Sequence, residues 1–401
     1  MSEEQSIAAT DELPPAPVVP VDLEEGKVYN QTPRFMHMRH LEWNVVEAAK
    51  ARIRWCISNF DDVWVSFSGG KDSLVVLKLV EQVYEELGIT EKIKVKFMDE
   101  ELVCDDIIDF VFEVAESGKY DFHWYALQMY VGFYVMGKHK PFVSWDPERK
   151  WHRQPPDRPY VIYDVGHPTR DENENSISKF MYKDTSRRTV ELLGLRADES
   201  MKRYLSVKAG GISAPNYLSN GMIPHIYAGK PIYDFTETDI FKFFKDHGIK
   251  YCPFYDVQVW SKSPLRVAST MHERGQAQFF KMKELAPKYY EQLRQLYPEV
   301  ETHYRYGQEM AVGQEMELYP HSWEGIRQYI ADKIDPGHKA EALEFVKRYE
   351  IKRIGQLRDN PGKPLGGVSM LKVFRQVMNG RFVKSATLLH EITQADIDYE
   401  Q

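Results

Sequence analysis

The stretch Val63–Leu77, VWVSFSGGKDSLVVL, constrains this chain more than any other. The apolar run Val63–Phe67 reads as a buried strand. Ser68-Gly69-Gly70-Lys71-Asp72-Ser73 reads as a turn, and an apolar helix is expected over Asp72–Leu87. Strand, glycine turn and helix start together make an anion cradle. Glycine lets backbone N–H groups come close to a phosphate, and the helix N-terminus adds partial positive charge. The alternative is an ordinary strand–turn–helix with a surface lysine. Leu74, Val75, Val76, Leu77, Leu79 and Val80 leave that helix apolar on most sides, so sheet and neighbours must cover it, as in a layered α/β fold.

The neighbouring segments repeat the alternation. His40–Phe60 carries Leu41, Val45, Ala49, Ile53 and Cys56 near four-residue spacing, which predicts a helix and places Cys56 in the core. Ile93–Met98 alternates Ile93, Val95 and Phe97 with Lys94 and Lys96, and reads as a strand. It ends in Asp99-Glu100-Glu101. A carboxylate there points into the crevice where parallel sheets take ligands, so Asp99 is a candidate for Mg²⁺ or a ribose. Glu100 and Glu101 are expected to cap the helix starting near Asp105. Further strands are expected near Phe122–Leu127 and Glu191–Leu195, with a helix at Ser176–Tyr182 between them. The fold class is therefore α/β, a doubly wound and mostly parallel sheet with helices on both faces.

Tyr130–Arg158 breaks the rhythm and reads as an irregular insertion rich in aromatic and basic residues, Trp145, Arg149, Trp151, His152 and Arg153 among them. Two readings stand: the aromatics and cations stack on a base or nucleic-acid strand, or they anchor the loop to the body. Downstream, Gly194-Leu195-Arg196-Ala197-Asp198-Glu199-Ser200 closes a strand. Gly194 permits close backbone approach, and Arg196 can grip phosphate through its fork, with a structural Arg–Glu pair as the alternative. Arg187, Arg188 and Arg203 flank this segment as further candidate substrate or partner contacts, with Trp151 and Arg153 of the insertion. Thr236–His247 carries the capping signal Thr236-x-x-Asp239 and is followed by Tyr251-Cys252-Pro253-Phe254-Tyr255-Asp256. Cys252 reads as a packed thiol.

Beyond residue 262 the texture becomes helical. Gln276–Tyr297 is a helix that Pro287 divides, and Glu324–Ile334, His338–Tyr349 and Val368–Met378 are shorter helices. The domain expectation is an acidic tail at 1–26, a nucleotide-binding domain at 27–262 with the 130–158 insertion, and a helical region at 263–401. The tail holds seven acids, no Lys or Arg, and the run Leu13-Pro14-Pro15-Ala16-Pro17, a composition of disorder. Against a net charge of −8, His338–Lys384 holds eleven Lys or Arg and four acids. That block is either a solvated helical face or a contact for nucleic acid or an acidic partner. The chain shows no run of about 18 apolar residues and no secretory leader pattern, so a cytoplasmic location is expected. The three cysteines, Cys56, Cys104 and Cys252, are widely spaced, which argues against a disulfide framework or an iron–sulfur cluster.

Three signals now stand in order: SGGKDS at 68–73, GLRADES at 194–200 and PIYDFTETDIFKFFKDHGIKYCPFYD at 231–256. In that order they resemble the phosphoadenosine-phosphosulfate (PAPS) reductase family of ATP-pyrophosphatases, in the adenine-nucleotide α-hydrolase superfamily. Phe235 and Phe241 stand where the family's third segment has tryptophan. The insertion and the C-terminal extension resemble the subgroup called immunoglobulin-binding regulator A, which implies a ParB-like partner. The resemblance implies a PP-loop, the pyrophosphate-binding form of the cradle, acting on ATP, PAPS or a related adenine nucleotide with Mg²⁺. It implies that Ser68, Gly69, Gly70 and Ser73 bind phosphate, Lys71 neutralises the leaving group, Asp72 orders the loop or the metal, and Arg196 grips phosphate or substrate, while Glu199 and Ser200 brace their loop. Assimilatory reductases use a C-terminal cysteine as the sulfur nucleophile. No cysteine follows Cys252 here, so thiol-dependent PAPS reduction is not expected. Adenylyl transfer to an acceptor is expected instead, or a nucleotide-sensing regulator that has lost its chemistry.

Overall fold

The computed structural model describes residues 28–30, 37–39, 44–135, 138–184, 186–199, 201–208, 217–220, 225–262, 265, 279, 281–306, 316, 318–359 and 369–378. The expected acidic tail at 1–26, Ser200, most of 263–280 and the end of the basic block lie outside these residues. The chain divides into two units. One comprises the chain up to Tyr130 together with Val143–Val267, and the other comprises Val131–Phe142 and Ala268–Gln401.

In the first unit, β1 (Val28–Asn30) and β2 (His37–Arg39) pair antiparallel. Helix α1 (Val45–Asn59) is capped by the Asn44 side chain, which accepts from Val46 N, and it buries Ala49, Ile53 and Cys56 as the periodicity predicts. Then follow β3 (Asp62–Ser66), α2 (Lys71–Leu87), β4 (Ile93–Met98), α3 (Asp105–Glu116) and β5 (Tyr120–Tyr125). Helix α2 buries Leu74 to Leu77, Leu79 and Val80 alike, because the sheet and its neighbours cover all its apolar sides. The insertion departs from its expected irregularity: its first half is a two-stranded sheet, β6 (Met129–Val135) with β7 (Lys138–Ser144).

The first unit continues through β8 (Val161–Ile162), α4 (Glu174–Met181), β9 (Thr189–Leu193), α5 (Met201–Lys208), β10 (Leu218–Asn220), β11 (Ile226–Gly229), α6 (Glu237–His247) and α7 (Phe254–Trp260). The main sheet has seven strands in the order β10-β11-β9-β3-β4-β5-β8, and every pairing but β10–β11 is parallel. Strand β3 sits between β9 and β4, so the glycine turn leaves the carboxyl end of a central strand. The residues after β4 and β9 emerge on either side of it. Short β8, β10 and β11 carry too few residues for a period to show in the sequence. Pro231–Asp234 forms a turn.

The second unit takes Val131–Phe142, most of the β6–β7 pair, and is otherwise helical: α8 (Met282–Leu285), α9 (Pro287–Leu296), α10 (Glu299–Tyr306), α11 (Trp323–Lys333), α12 (Lys339–Asp359) and α13 (Met370–Met378). Pro287 divides the Gln276–Tyr297 pattern as expected and opens α9, where its missing N–H costs nothing. Ile326, Ile330, Phe345, Val346, Tyr349, Phe374 and Val377 form the shared core of α11, α12 and α13. The outer face of α12 mixes exposed Lys347, Arg348 and Arg358 with exposed Leu343, Ile351 and Ile354, so it is not a uniformly charged face. Among the described residues, no helix is long and apolar enough to cross a membrane.

Candidate functional site

The site begins where β3 leaves the sheet. Phe67 N still donates to Lys96 O at 2.8 Å, and after it the chain turns. Gly69 has φ +73°, and a Cβ there would meet Val111 Cγ2 at 2.7 Å, so both conformation and space require glycine. The Ser73 hydroxyl closes the turn. It accepts from Ser68 N at 3.1 Å, lies 3.1 Å from Ser68 Oγ, and donates to Gly70 O at 3.0 Å. Gly70 caps α2 without a side-chain bond, and the first helical amide, Lys71 N, donates to the Tyr255 hydroxyl at 2.8 Å. Among the described residues, no hydrogen bond reaches the amides of Gly69, Gly70, Asp72 or Ser73. A helix start with unspent donors and its dipole directed outward is suited to an anion.

Charge gathers around the same turn. The buried Lys71 ammonium donates to Asp72 Oδ2 at 3.0 Å and Leu265 O at 3.3 Å, and lies 3.7 Å from Glu237 Oε2. Asp72 also accepts from Arg196 Nε, so it bridges the two cations. Arg196 is 3% exposed. Its Nη1 bonds both oxygens of Asp198 at 2.6 and 2.7 Å, and its Nη2 lies 3.9 Å from Glu237. Burial works against the Arg196 charge, but Asp72 and Asp198 outweigh it and raise its pKa. Asp198 itself is pushed up, because burial costs its carboxylate more than Arg196 returns. Glu199 is raised for the same reason, against the attraction of its ion-pair partner Arg203.

Close backbone approach brings these groups together. A Cβ on Gly194 would stand 2.5 Å from Ser73 N and 2.6 Å from Asp72 C, so the end of β9 rests on the first turn of α2. Ala197 N donates to Tyr233 O at 2.8 Å and joins the second motif to the third. In the third motif, Asp234 takes two bonds from buried Arg52, at 2.8 and 2.7 Å, and Arg52 also donates to Pro231 O at 2.7 Å. Thr236 and Asp239 form the expected capping box and start α6 beside Lys71. Asp198 and Glu237 belong to the site although no reading of the sequence singled them out. Asp198 stood two residues from Arg196 inside a recognised motif, which was a usable signal. Glu237 stood inside the third motif, directly after the Thr236 cap, and carried the same kind of signal.

Several expected site residues have other positions. Asp99 is fully buried, and its oxygens accept from Trp124 Nε1 (2.8 Å), Glu101 N (3.0 Å) and Arg153 Nη2 (2.5 Å). With its oxygens so engaged it is an anchor and does not fit a metal ligand. Glu101 does not cap α3, whose N-cap is Cys104 with no side-chain bond. It is also fully buried, and accepts from Trp145 N, from His152 N and from both terminal nitrogens of Arg149. These two carboxylates lock the second half of the insertion onto the carboxyl end of β4. Trp151 donates to Asp146 O at 2.8 Å and packs edge-on against Trp145, and the Arg153 guanidinium lies 5.1 Å from the Trp145 ring. The anchoring reading of these aromatics and cations is the one the contacts support.

Arg187 and Arg188 lie at the wrong end of the sheet for the cradle. Arg187 pairs with Asp62 at the start of β3, and Arg188 O accepts from Asp61 N and Asp62 N. They precede parallel β9, whereas the cradle follows β3, so the length of the strands separates them. Ser200 is outside the described residues.

All three cysteines are buried, and burial raises each thiol pKa, that of Cys252 to about 11. Among the described residues no group of three or more His, Cys, Asp or Glu is arranged to hold a metal.

A family model for the phosphoadenosine phosphosulfate reductase domain matches residues 62–293. The uncharacterized protein YbdN of Escherichia coli (strain K12) is 29% identical over 246 residues, which is 56% of this chain and 58% of YbdN; the chain thus spans less than two thirds of that relative. Among solved structures, Candida glabrata FMN adenylyltransferase with FMN and an ATP analogue is similar at 13% identity and TM-score 0.36, over 53% of this chain and 59% of that one. The PAPS reductase of Candida auris, in a phosphate complex, is similar at 13% identity and TM-score 0.30, over 52% and 84%. At these scores the two structures carry no argument about activity.

Proposed function

Because this chain belongs to the phosphoadenosine phosphosulfate reductase domain family, with a nucleotide-binding PP-loop at 68–73, we propose that it binds ATP or a related adenine nucleotide and cleaves the α–β phosphate bond. The adenylyl group passes to an acceptor and pyrophosphate leaves. The observation that carries this reading is the convergence of four unspent amides, Lys71 and Arg196 on one turn. The amides of Gly69, Gly70, Asp72 and Ser73 hold the pyrophosphate oxygens. Lys71 lies at the start of the same helix and neutralises the charge that builds on the leaving group. Arg196, whose Nε and Nη1 are engaged by Asp72 and Asp198, places its charge beside the adjoining phosphate and offers it Nη2. Asp72 keeps both cations aimed at the turn, so the work of the protein is positioning and charge stabilisation, with no protein nucleophile.

A divalent ion supplies Lewis-acid neutralisation of phosphate charge when bound. Asp72, Asp198 and Glu237 are the hard oxygen donors at the turn. One or two carboxylates plus substrate phosphates suffice for Mg²⁺. Asp72 and Asp198, like Asp99, have both oxygens already engaged, here by Lys71 and Arg196, so half-exposed Glu237 is the carboxylate at the turn that would share the ion with substrate phosphates. Thiol-dependent reduction is disfavoured by the buried thiols with raised pKa, since the thiolate is the reactive form.

The test is α-labelled ATP with Mg²⁺ and a panel of acceptors. Labelled adenylyl transfer or pyrophosphate release by the wild type, abolished in Lys71→Ala, supports the reading. Equal, background-level release from both proteins under every condition counts against it.

A further inference from the structure

We propose that Tyr255 is a positioning residue of the phosphate loop: it holds Lys71 at both its amide and its ammonium and so sets the direction of the remaining donors. The proposal rests on the nucleotide reading above.

Tyr255 stands 184 residues after Lys71 and is 2% exposed, yet its hydroxyl accepts the Lys71 amide hydrogen at 2.8 Å. The same ring lies 5.6 Å from the Lys71 ammonium. A helix start normally receives its cap from a local Ser, Thr, Asp or Asn, but here the capping position is Gly70, which offers no side chain. The distant phenol takes its place at one amide and leaves the amides of Gly69, Gly70, Asp72 and Ser73 to a ligand.

The choice of a phenol has a physical reason. An aspartate cap would put a negative charge beside the site where phosphate must sit. Burial pushes the Tyr255 pKa well above its ordinary value, so the hydroxyl stays neutral and fixes the loop without repelling an anion. Tyr255 is itself held by ring contacts to Phe241 and Tyr251, with centroids 6.4 Å away in both cases, so the first turn of α2 is referred to the α6–α7 body.

The experiment is calorimetry on the full chain with three probes, ATP, inorganic pyrophosphate and adenosine, alongside thermal denaturation. Tyr255→Phe keeps the ring and removes the acceptor. ATP and pyrophosphate should bind about tenfold more weakly, with adenosine binding unchanged and the melting temperature lowered by the few degrees that one lost buried hydrogen bond costs. Tyr255→Leu, which also removes the ring, should weaken the two phosphate ligands further. If Tyr255→Phe binds ATP and pyrophosphate within twofold of wild type, or if adenosine weakens in parallel, Tyr255 is a core residue only and the proposal is overturned. If the wild type binds neither ATP nor pyrophosphate, the nucleotide reading itself fails, which is a separate outcome from an unaltered Tyr255→Phe.

Discussion

Replacing Gly194 by alanine tests the packing that assembles the site. The added Cβ would stand 2.5 Å from Ser73 N, 2.6 Å from Asp72 C and 2.8 Å from Ser73 Cα. All three are backbone atoms in the first turn of α2, so no rotamer change relieves the clash. Either β9 or α2 must move by close to an ångström. Overpacking of this kind costs about 2–3 kcal/mol. For a domain of this size that lowers the melting temperature by about 5–10 °C. The movement also parts Arg196 from Asp72, because Arg196 follows Gly194 by two residues and Asp72 lies directly beneath it. Gly194→Ala should therefore lose stability and nucleotide affinity together, read by urea denaturation and by calorimetry with ATP. Gly355 is the control. It lies in α12, a Cβ there meets nothing within 4 Å, and alanine should stabilise by up to about 1 kcal/mol. A Gly194→Ala protein within about 0.5 kcal/mol of wild type would refute the close approach of β9 to α2.

Arg52→Ala should destabilise the first unit by about 3 kcal/mol, the low end for breaking a buried pair because Asp234 keeps some solvent. Arg52→Lys should recover only part of it in urea titrations, since the two-pronged bond is lost. The buried His152 has its pKa lowered to about 4, chiefly by burial, so it stays neutral in the fold while the unfolded chain takes up a proton below about 6.5. Stability from this residue is complete above that range and is lost as pH falls from about 6.5 toward 4; His152→Gln should flatten this acid limb, and an unchanged limb in pH-dependent melting would remove His152 as its source. The three cysteine thiols should resist a disulfide reagent at pH 8 in the native protein and react fully in guanidinium; rapid native labelling of any of them would contradict their burial.

What the sequence made legible was local. The β3–turn–α2 unit, the alternation of Ile93–Met98 and the capping box at Thr236 each announce themselves within a few residues, because strand period, helix period and cap chemistry are short-range. The insertion was legible only in composition. Its first half folds as β6 and β7, and its second half is fixed by Asp99 and Glu101, some 50 residues upstream. A carboxylate at the end of a parallel strand looks the same in a sequence whether it faces a ligand or a buried arginine. The arginine is what decides, and its position is a tertiary fact. Arg187 and Arg188 were misplaced for a related reason: a basic pair next to a motif carries no sign of which end of the strand it occupies.

The site divides along the same line. Its loop donors could be read from SGGKDS. The groups that aim them, Glu237, Gly194 through its contact with Ser73, and Tyr255, come from elements more than a hundred residues away. This arrangement has a consequence for the cations. Lys71 and Arg196 face three carboxylates, Asp72, Asp198 and Glu237, so the cluster carries a formal charge of −1 before any ligand arrives. A polyphosphate must then compete with internal carboxylates for both cations. A cation between phosphate and carboxylate relieves that competition, which makes the affinity of the loop for pyrophosphate depend on Mg²⁺ more steeply than a bare helix N-terminus would. Glu237 is the half-exposed member of the three. Glu237→Gln brings the cluster to neutrality, and should raise pyrophosphate affinity without Mg²⁺ while narrowing the gain that Mg²⁺ confers. Calorimetry of both proteins with and without Mg²⁺ measures the two gains, and an equal gain in each would show that Glu237 takes no part in the balance.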